Sequence, residues 1–411
     1  MAVIKPFQAI RPAVGLEDKI AALPYDVYSS AEARQIVKKD TMSFLRIDRA
    51  ETQFPEDVDM YSNQVYQKAH DMLWGMVTRG EFIREKKPCY YLYELIYQGR
   101  AQDGIVACAS IDDYLNNVIK KHENTRPEKE QDRINHITAC RAQTGPIFLA
   151  YRENEKLLKV MGQVKAEPPV YDFTCTDGVT HRVWVISDKT KISCIAECFD
   201  KMQQIYIADG HHRAASAVKV GVKKREENPG YTGEEEFNYF LCVLFADTQL
   251  KILDYNRVVR DLNGLDRETF FKKLNEYFDV RKSNVQVAPG SKGEFGMYLE
   301  NEWYTLTFKG DPDADMSVVD VLDVSVLQDY VLNPILGIAD PKTDKRIDFV
   351  GGIRGLGELE KRVAEGWEVA FSMYPTSMAE LFDIADQGLL MPPKSTWFEP
   401  KLRSGLFIHE F

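Results

Sequence analysis

Residues 203–213 constrain the fold more than any other stretch of this sequence. Gln203 to Ala208 has the apolar character of a buried strand, and residues 214–218 continue with small apolar residues at helical spacing. Asp209 is predicted to cap this helix, and Gly210 is predicted to make the tight turn before it. A strand that runs directly into a helix is typical of proteins built from both elements, so we expect an α/β fold.

The first turn of this predicted helix is cationic, which is locally unfavourable. Its residues are His211, His212 and Arg213, and each charge held at a helix N-terminus costs on the order of 0.3–1 kcal/mol. An anion reverses this cost, because backbone N–H groups, two imidazoles and a guanidinium can converge on it. The sequence therefore predicts a phosphate site at residues 209–213. The alternative is a simple cap and turn with two surface histidines.

A zinc site at the two histidines is disfavoured by their spacing. Adjacent helical residues point about 100° apart, and the segment lacks the i,i+4 histidine pair of a zinc-protease helix.

Size and charge narrow the class of protein. A chain of 411 residues predicts two or three domains, and a net charge of −11 repels a polyanion, which disfavours nucleic acid as a partner. The seven cysteines form no C-x-x-C pair, which is typical of reduced thiols in a cytoplasm. The longest apolar run, at residues 239–246, is far shorter than the roughly 20 residues that span a bilayer. We therefore expect a soluble, cytoplasmic protein.

Alternating helix and strand signals predict two domains. We expect an N-terminal α/β domain over residues 1–255, which carries the 209–213 segment, and a C-terminal α/β domain over residues 256–411. Local signals predict further elements, namely helices at the capping boxes that begin at Ser29 and Ser377, a strand at 43–47 and a long loop at 310–315.

Four residues in the first half of the chain are candidates for catalysis. Asp26 and Glu51 are carboxylates that could act as a general base or bind Mg²⁺, although each could instead be only a cap or loop residue. His122 and Glu123 could serve as a base, a metal ligand or part of a phosphate clamp. The alternative for this pair is a solvated helix edge.

Two later segments have patterns that are typical of phosphate-binding loops. Lys394, Ser395 and Thr396 follow two prolines, and a lysine followed by two hydroxyls in a stiff loop is a plausible grip on phosphate. The segment lacks the glycines of a P-loop and could be a structural turn. Residues 351–357 have the spacing G-x-x-G-x-G, the reverse of the dinucleotide fingerprint, and could be only a flexible turn.

Seven short motifs in order make the whole chain resemble the bacterial and archaeal DUF1015 family. They are Pro24 to Val27, Ser43 to Leu45, Lys121 to Thr125, Asp132 with Arg133, Gly145 to Ile147, Ile207 to Arg213, and Met391 to Thr396.

The block from Asp209 to Arg213 also resembles free serine kinases of the ParB/sulfiredoxin type, in which it holds nucleotide phosphates at a helix start. This resemblance implies a ParB/sulfiredoxin-like N-terminal core with insertions. It further implies ATP- or ADP-dependent phosphorylation of L-serine to O-phosphoserine. The resemblance assigns roles only to Asp209 to Arg213, because the catalytic glutamate of those kinases has no motif match in this sequence. Asp26 and Glu51 are the candidates for its role.

These observations lead to the hypothesis of a nucleotide-dependent small-molecule kinase. In it the 209–213 turn holds phosphates, Mg²⁺ bridges them to Asp209, Lys394 adds charge, and His122 with Glu123 lines the same cleft. Residues 391–396 are then expected to pack close to that turn. Two alternatives stay open. One is a ParB-like nucleotide-binding switch or interaction protein, and the other is a phosphatase or nuclease that uses the histidines.

Overall fold

The computed structural model describes residues 1–310 and 316–411. The loop predicted at 310–315 therefore lies, after its first residue, outside the described residues. The chain forms two compact units: residues 1–250 together with 400–411, and residues 251–399.

The described strands range from two to eleven residues, and β5 is the longest of them. They are β1 Ile4–Lys5, β2 Ile10–Pro12, β3 Phe82–Arg84, β4 Tyr90–Tyr97, β5 Arg100–Ser110, β6 Ile119–Lys120, β7 Ala142–Gln143, β8 Ile147–Tyr151, β9 Tyr171–Thr174, β10 Thr180–Ile186, β11 Ile205–Asp209, β12 Tyr239–Ala246, β13 Ile252–Leu253, β14 Tyr255–Val259, β15 Phe278–Ser283, β16 Glu294–Leu299, β17 Glu302–Phe308, β18 Ile347–Gly351, β19 Val369–Ser372, β20 Trp397–Phe398 and β21 His409–Glu410.

The described α-helices lie between these strands along the chain, singly or in succession. They are α1 Glu17–Ile20, α2 Ser30–Lys39, α3 Leu45–Asp48, α4 Asn63–Thr78, α5 Ile111–Leu115, α6 Pro127–Cys140, α7 Glu155–Lys165, α8 Lys189–Asp200, α9 His211–Glu227, α10 Arg267–Tyr277, α11 Asp323–Leu327, α12 Gly357–Ala364 and α13 Met378–Asp386. Within the described ranges, none of these helices has both the length and the apolar character needed to cross a bilayer.

The first unit is built on a nine-stranded mixed sheet with the order β6-β11-β8-β12-β5-β4-β10-β9, and β1 pairs with β5. The pairs β11 with β6 and β12 with β8 are parallel, and the other pairs are antiparallel. Every residue of β12 is buried, which explains the unbroken apolar run in its sequence. Helix α9 packs onto the core of this sheet through Ala214, Ala217 and Val218.

The second unit contains a six-stranded antiparallel sheet with the order β15-β17-β16-β19-β14-β18. Val258, Tyr298 and Trp367 belong to one of its apolar clusters, and Leu359 of α12 packs there as well. Both units thus combine helices and sheets, which confirms the predicted α/β class at this level.

The last twelve residues belong to the first unit, whereas the predicted domain boundary at residue 255 assigned them to the second domain. Strand β21 pairs with β7, Ile408 forms a bridge with Ile10, and Ser404 forms a bridge with Ala22. This return depends on pairing between distant segments, and local sequence signals carry no information on such pairing.

The local predictions hold where a capping motif specifies the element. Ser29 and Ser377 both form complete capping boxes, at the starts of α2 and α13. The strand predicted at 43–47 is wrong, because Leu45–Asp48 is the short helix α3. Phe44, Leu45 and Ile47 are buried in an apolar cluster with residues of α4, and a short apolar run does not by itself distinguish a strand from a buried helical turn.

Candidate functional site

The turn between β11 and α9 lies at the centre of the candidate site. Strand β11 ends at Asp209, and α9 begins at His211. Gly210 takes the N-cap position with φ 93° and ψ 33°, a left-handed conformation that favours glycine. A Cβ atom at Gly210 would lie 3.0 Å from both Nε and Nη2 of Arg213, so the guanidinium folds back over the turn.

Asp209 does not cap α9, which corrects the sequence prediction. Among the described residues no side chain forms a capping hydrogen bond there, because Asp209 is the last residue of the strand and Gly210 takes the cap position. Its carboxylate instead pairs with Lys401, with 3.1 Å between Nζ and Oδ2. Burial favours the neutral acid, but Lys401 and Arg213 outweigh it and hold the pKa of Asp209 well below its usual range. Asp209 is therefore an anion inside a cationic turn.

Lys401 was missed by the sequence analysis. It follows Asp209 by 192 residues, and no motif marks it. Only the return of the C-terminal segment to the first unit places it beside Asp209.

His122 and His211 pack against each other, edge to face, with 4.5 Å between ring centroids. Strand β6 pairs in parallel with β11, which brings the segment after β6 beside the turn. His211 Nδ1 lies 3.7 Å from Glu123 Oε2. Both nitrogens of His122 and Nε2 of His211 are buried and have no hydrogen-bond partner in the part of the chain that the structure describes. The structure thus brings His122 and Glu123 to the 209–213 turn.

Burial makes these two imidazoles neutral. It lowers the pKa of His122 to about 4, although the charge of Asp209 opposes the shift. Burial and the neighbouring His122 lower the pKa of His211 well below its ordinary value. A neutral imidazole carries no net charge against the positive end of the helix dipole, so the penalty expected from the sequence is largely avoided.

His212 faces the segment before α6. Its Nε2 accepts a hydrogen bond of 3.0 Å from the Arg126 backbone N–H, so Nε2 carries no proton in this arrangement. Burial and Arg126 lower the pKa of His212, while Glu130 and Asp26 act in the opposite direction. The exposed carboxylate of Asp26 therefore lies within electrostatic range of the turn.

Glu51 is buried and paired rather than open to a ligand. Its Oε1 accepts a hydrogen bond of 2.5 Å from Arg49 Nε. The same guanidinium donates to the carbonyls of Tyr25 and Tyr28 at 3.0 and 2.9 Å. The pair fixes the loop that presents Asp26, and this geometry favours a positioning role for Glu51. Its predicted role as a base stays a prediction.

A partly enclosed cavity lies beside the turn, with an empty volume of about 440 Å³ that includes space open to solvent. Tyr25, Asp48, Arg133, Thr144 and Arg213 are among its lining residues. The Arg133 guanidinium lies 4.0 Å from the centre of the Tyr25 ring. Arg213, whose Nη1 donates to the Pro146 carbonyl at 2.5 Å, thus belongs to both the cavity and the turn.

Lys394, Ser395 and Thr396 lie in the second unit. Lys394 has φ 60°, its carbonyl accepts a hydrogen bond of 3.1 Å from Arg257 Nη2, and its ammonium lies 5.6 Å from the centre of the Tyr255 ring. Ser395 Oγ donates to the Pro392 carbonyl at 2.7 Å. These contacts give the loop a structural role within its own unit. Its phosphate contact and its packing against residues 209–213 stay predictions.

The glycines at 351 and 352 are explained by close packing. A Cβ at Gly351 would lie 2.7 Å from the Trp397 ring, and one at Gly352 would lie 2.0 Å from Asp254 Oδ1. These two positions therefore need glycine for steric reasons, without reference to phosphate.

The described residues contain no cluster of three or more histidine, cysteine, aspartate or glutamate side chains that could hold a metal ion. Mg²⁺ commonly takes only one or two protein carboxylates and completes its shell with water and substrate phosphates. Asp209 as a single protein ligand fits a metal that arrives with a nucleotide, provided that Lys401 moves away from the carboxylate or binds it together with the metal.

The family model described as "Protein of unknown function (DUF1015)" matches residues 4–325. A comparison with curated proteins gives no match. A solved structure of free serine kinase in complex with AMP is 13% identical, with a TM-score of 0.36, and covers 74% of this chain and 91% of that chain. A mutant of free serine kinase in complex with ADP is 14% identical, with a TM-score of 0.36, and the match covers 75% of this chain and 93% of that chain. SbnI with a C-terminal truncation from Staphylococcus aureus is 13% identical, with a TM-score of 0.39, and the match covers 73% of this chain and 85% of that chain.

Proposed function

The chain belongs to the DUF1015 family, and for this member we propose a nucleotide-dependent kinase that phosphorylates a small hydroxyl compound. The proposed acceptor is free L-serine, and the proposed product is O-phosphoserine. One observation carries the proposal: the N-terminus of α9, a glycine turn, Arg213 and Lys401 surround one point at the end of β11. The ParB/sulfiredoxin-like core inferred from the sequence is part of the same proposal.

The electrostatics of the turn suit a phosphate group. The first N–H groups of a helix have no partner within the helix and carry partial positive charge. Arg213 makes one hydrogen bond, to a backbone carbonyl, and no ion pair with any described residue. Its remaining N–H donors can therefore bind phosphate oxygens in the planar, bidentate geometry that guanidinium favours. His211 and His212, as neutral rings, can each contribute one N–H.

The proposed transfer moves the terminal phosphoryl group of ATP or ADP. The serine Oγ attacks the terminal phosphorus and forms the new O–P bond, while the bond from that phosphorus to the bridging oxygen breaks and leaves with the shortened nucleotide. The hydroxyl proton passes to a carboxylate. Mg²⁺ bound with the nucleotide would neutralise phosphate charge, and Asp209 is the residue proposed to hold it.

We assign the base to Asp26 ahead of Glu51. Asp26 is exposed and electrostatically coupled to His212, whereas Glu51 is engaged by Arg49. His122, with a pKa of about 4, is a weak base near neutral pH and is better suited to donate a hydrogen bond. Glu123, whose Oε2 lies 3.7 Å from His211 Nδ1, is proposed to line the same cleft. Lys394, Ser395 and Thr396 are retained in the proposal as a second phosphate-contacting loop.

The test is direct detection of the product. The full chain is incubated with Mg²⁺, L-serine and either ATP or ADP, and O-phosphoserine is followed by phosphorus NMR. We expect product with one of the two nucleotides, and we expect Arg213→Ala to abolish most of it. Lys223→Ala, which removes an exposed positive charge near the other end of α9, is the matched control and should retain activity.

Two results would contradict the proposal. Tight nucleotide binding without phosphorylation of serine or any related hydroxy compound would favour the nucleotide-binding switch. Release of phosphate from phosphoesters without nucleotide would favour a phosphatase.

A further inference from the structure

We propose that the cavity beside the turn, lined by Tyr25, Asp48, Arg133, Thr144 and Arg213, binds the acceptor as a zwitterionic α-amino acid. Asp48 would receive the ammonium group, and Arg133 would receive the carboxylate. This inference rests on the proposed function, because it names the binding site and the chemical class of the acceptor.

Asp48 is a buried carboxylate within electrostatic range of Arg133, whose guanidinium is ion-paired with Asp132. It is 5% exposed and accepts one hydrogen bond, of 3.0 Å, from Thr144 Oγ1. It forms no ion pair with any residue that the structure describes. Burial of a carboxylate is costly unless a cation or several donors compensate it. A ligand ammonium, with three N–H donors, provides that compensation.

Arg133 offers donors for the other end of the ligand. It is buried, and its Nε and Nη2 both donate to Asp132 Oδ2, at 3.0 and 2.8 Å. Nη1 has no hydrogen-bond partner among the described residues, and a guanidinium can serve two carboxylates through separate N–H groups. Asp132 is further held by the Tyr66 hydroxyl at 3.0 Å, so Arg133 is fixed in place.

The charges around the cavity match a zwitterion better than an ion of one sign. Asp48 and Asp132 carry two negative charges, and Arg133 and Arg213 carry two positive charges. His136 also lines the cavity, but burial and Arg133 lower its pKa, so it adds no charge near neutral pH. An added ligand with no net charge leaves this balance intact.

The cavity also adjoins the proposed phosphate site. Arg213 lines the cavity while its guanidinium folds over Gly210, and Tyr25 lines it immediately before Asp26. A small amino acid in the cavity therefore lies next to the turn, with its side-chain hydroxyl as the group that can reach a bound phosphate. This arrangement selects a short hydroxy amino acid rather than a larger polyol.

The test measures ligand binding and turnover separately in the full chain. Calorimetry determines the affinities for L-serine, for glycerate, which lacks the ammonium, and for ethanolamine, which lacks the carboxylate. We expect both analogues to bind at least about ten-fold more weakly than L-serine, because each leaves one buried charged group unpaired. Asp48→Asn should weaken L-serine binding by about ten-fold or more, should not weaken glycerate binding, because glycerate has no ammonium for Asp48 to receive, and should leave nucleotide affinity unchanged. Asp113→Asn is the matched control, because Asp113 is equally buried and accepts one hydrogen bond, from Val3 N–H.

The outcomes separate this inference from the kinase proposal. If L-serine is phosphorylated and Asp48→Asn has the wild-type KM, the inference is overturned and the kinase stands. If L-serine binding depends on Asp48 but no phosphoryl transfer occurs, the inference stands and the kinase fails. If Asp48→Asn does not fold, the affinities of the wild-type protein for L-serine and glycerate provide the test. Equal affinity for the two compounds overturns the inference.

Discussion

Lys401 Nζ lies 3.1 Å from Asp209 Oδ2, and this contact joins the C-terminal segment to the end of β11. The lysine compensates a carboxylate that would otherwise repel an anion at the start of α9. It also lowers the pKa of Asp209, so the carboxylate stays ionised across the physiological range. The cationic character of the turn thus depends on a residue from the far end of the chain.

Replacing Lys401 with methionine keeps the apolar stem and removes the charge. We expect the free energy of unfolding to fall by about 1 kcal/mol, because the pair is only half-buried, and we expect nucleotide affinity to fall as well. Urea unfolding and calorimetry measure the two effects. Lys191→Met is the matched control: its pair with Glu167 also spans 3.1 Å but lies at the surface, away from the turn. Equal losses in both variants would contradict the role given to Lys401.

Gly210→Ala tests the left-handed turn. An alanine at φ 93° is strained, and its Cβ would lie 3.0 Å from the Arg213 guanidinium. We expect a loss of roughly 1 kcal/mol in stability, with weaker nucleotide binding because Arg213 must move. Gly162→Ala in α7 is the control, since no heavy atom of the part of the chain that the structure describes lies within 4 Å of its Cβ position. That variant should gain up to about 1 kcal/mol.

The sequence predicted the centre of this site because its chemistry is local. A strand followed by a glycine, two histidines and an arginine specifies the local geometry, and His122 with Glu123 lies beside this turn. The assignment of Asp209 as a helix cap was wrong by one residue, because the pattern does not show which of two adjacent residues takes the left-handed conformation.

The rest of the site depends on contacts between distant segments. Lys401 reaches Asp209 only because Ser404 and Ile408 pair with Ala22 and Ile10. Asp48 directly follows the segment predicted as a strand at 43–47, and it reaches the cavity because residues 45–48 form a helix that places its carboxylate beside Thr144. No local pattern encodes such pairing.

Arg213→Lys tests the proposed phosphate clamp. Lysine keeps the charge but loses the planar donor set and the hydrogen bond to the Pro146 carbonyl. We expect nucleotide affinity and the rate of transfer to fall together, by about ten-fold or more, because a clamp acts in both the ground and transition states. His212→Ala should have a smaller effect in the same direction. Unchanged affinity in Arg213→Lys, measured by calorimetry with Lys223→Ala in parallel, would exclude the clamp.

Asp26→Asn and Glu51→Gln distinguish a base from a positioning residue. Asp26→Asn should lower kcat by about 10²–10⁴-fold and leave nucleotide affinity and stability nearly unchanged. Glu51→Gln leaves the buried Arg49 without its counter-charge, so we expect a stability loss of the order of 2 kcal/mol. Steady-state kinetics and urea unfolding of both variants provide the measurement. A stable Glu51→Gln protein with a large loss of kcat alone would reverse the two assignments.

Acid should destabilise this protein through its buried histidines. The pKa of His122 is lowered from 6.5 to about 4, so between these values the unfolded chain binds a proton that the folded chain does not. Stability therefore falls as pH drops below about 6.5, and the contribution of His122 levels off below about pH 4. At pH 5 this contribution is of the order of 2 kcal/mol relative to neutral pH. Urea unfolding at pH 7.5, 6 and 5 should show a smaller loss in His122→Asn than in wild type. His70→Asn is the control, because His70 is half-exposed beside Asp71, and its stability should depend on pH as the wild type does. An identical pH dependence in all three proteins would contradict the prediction, because it would show that the folded protein protonates His122 as readily as the unfolded chain does.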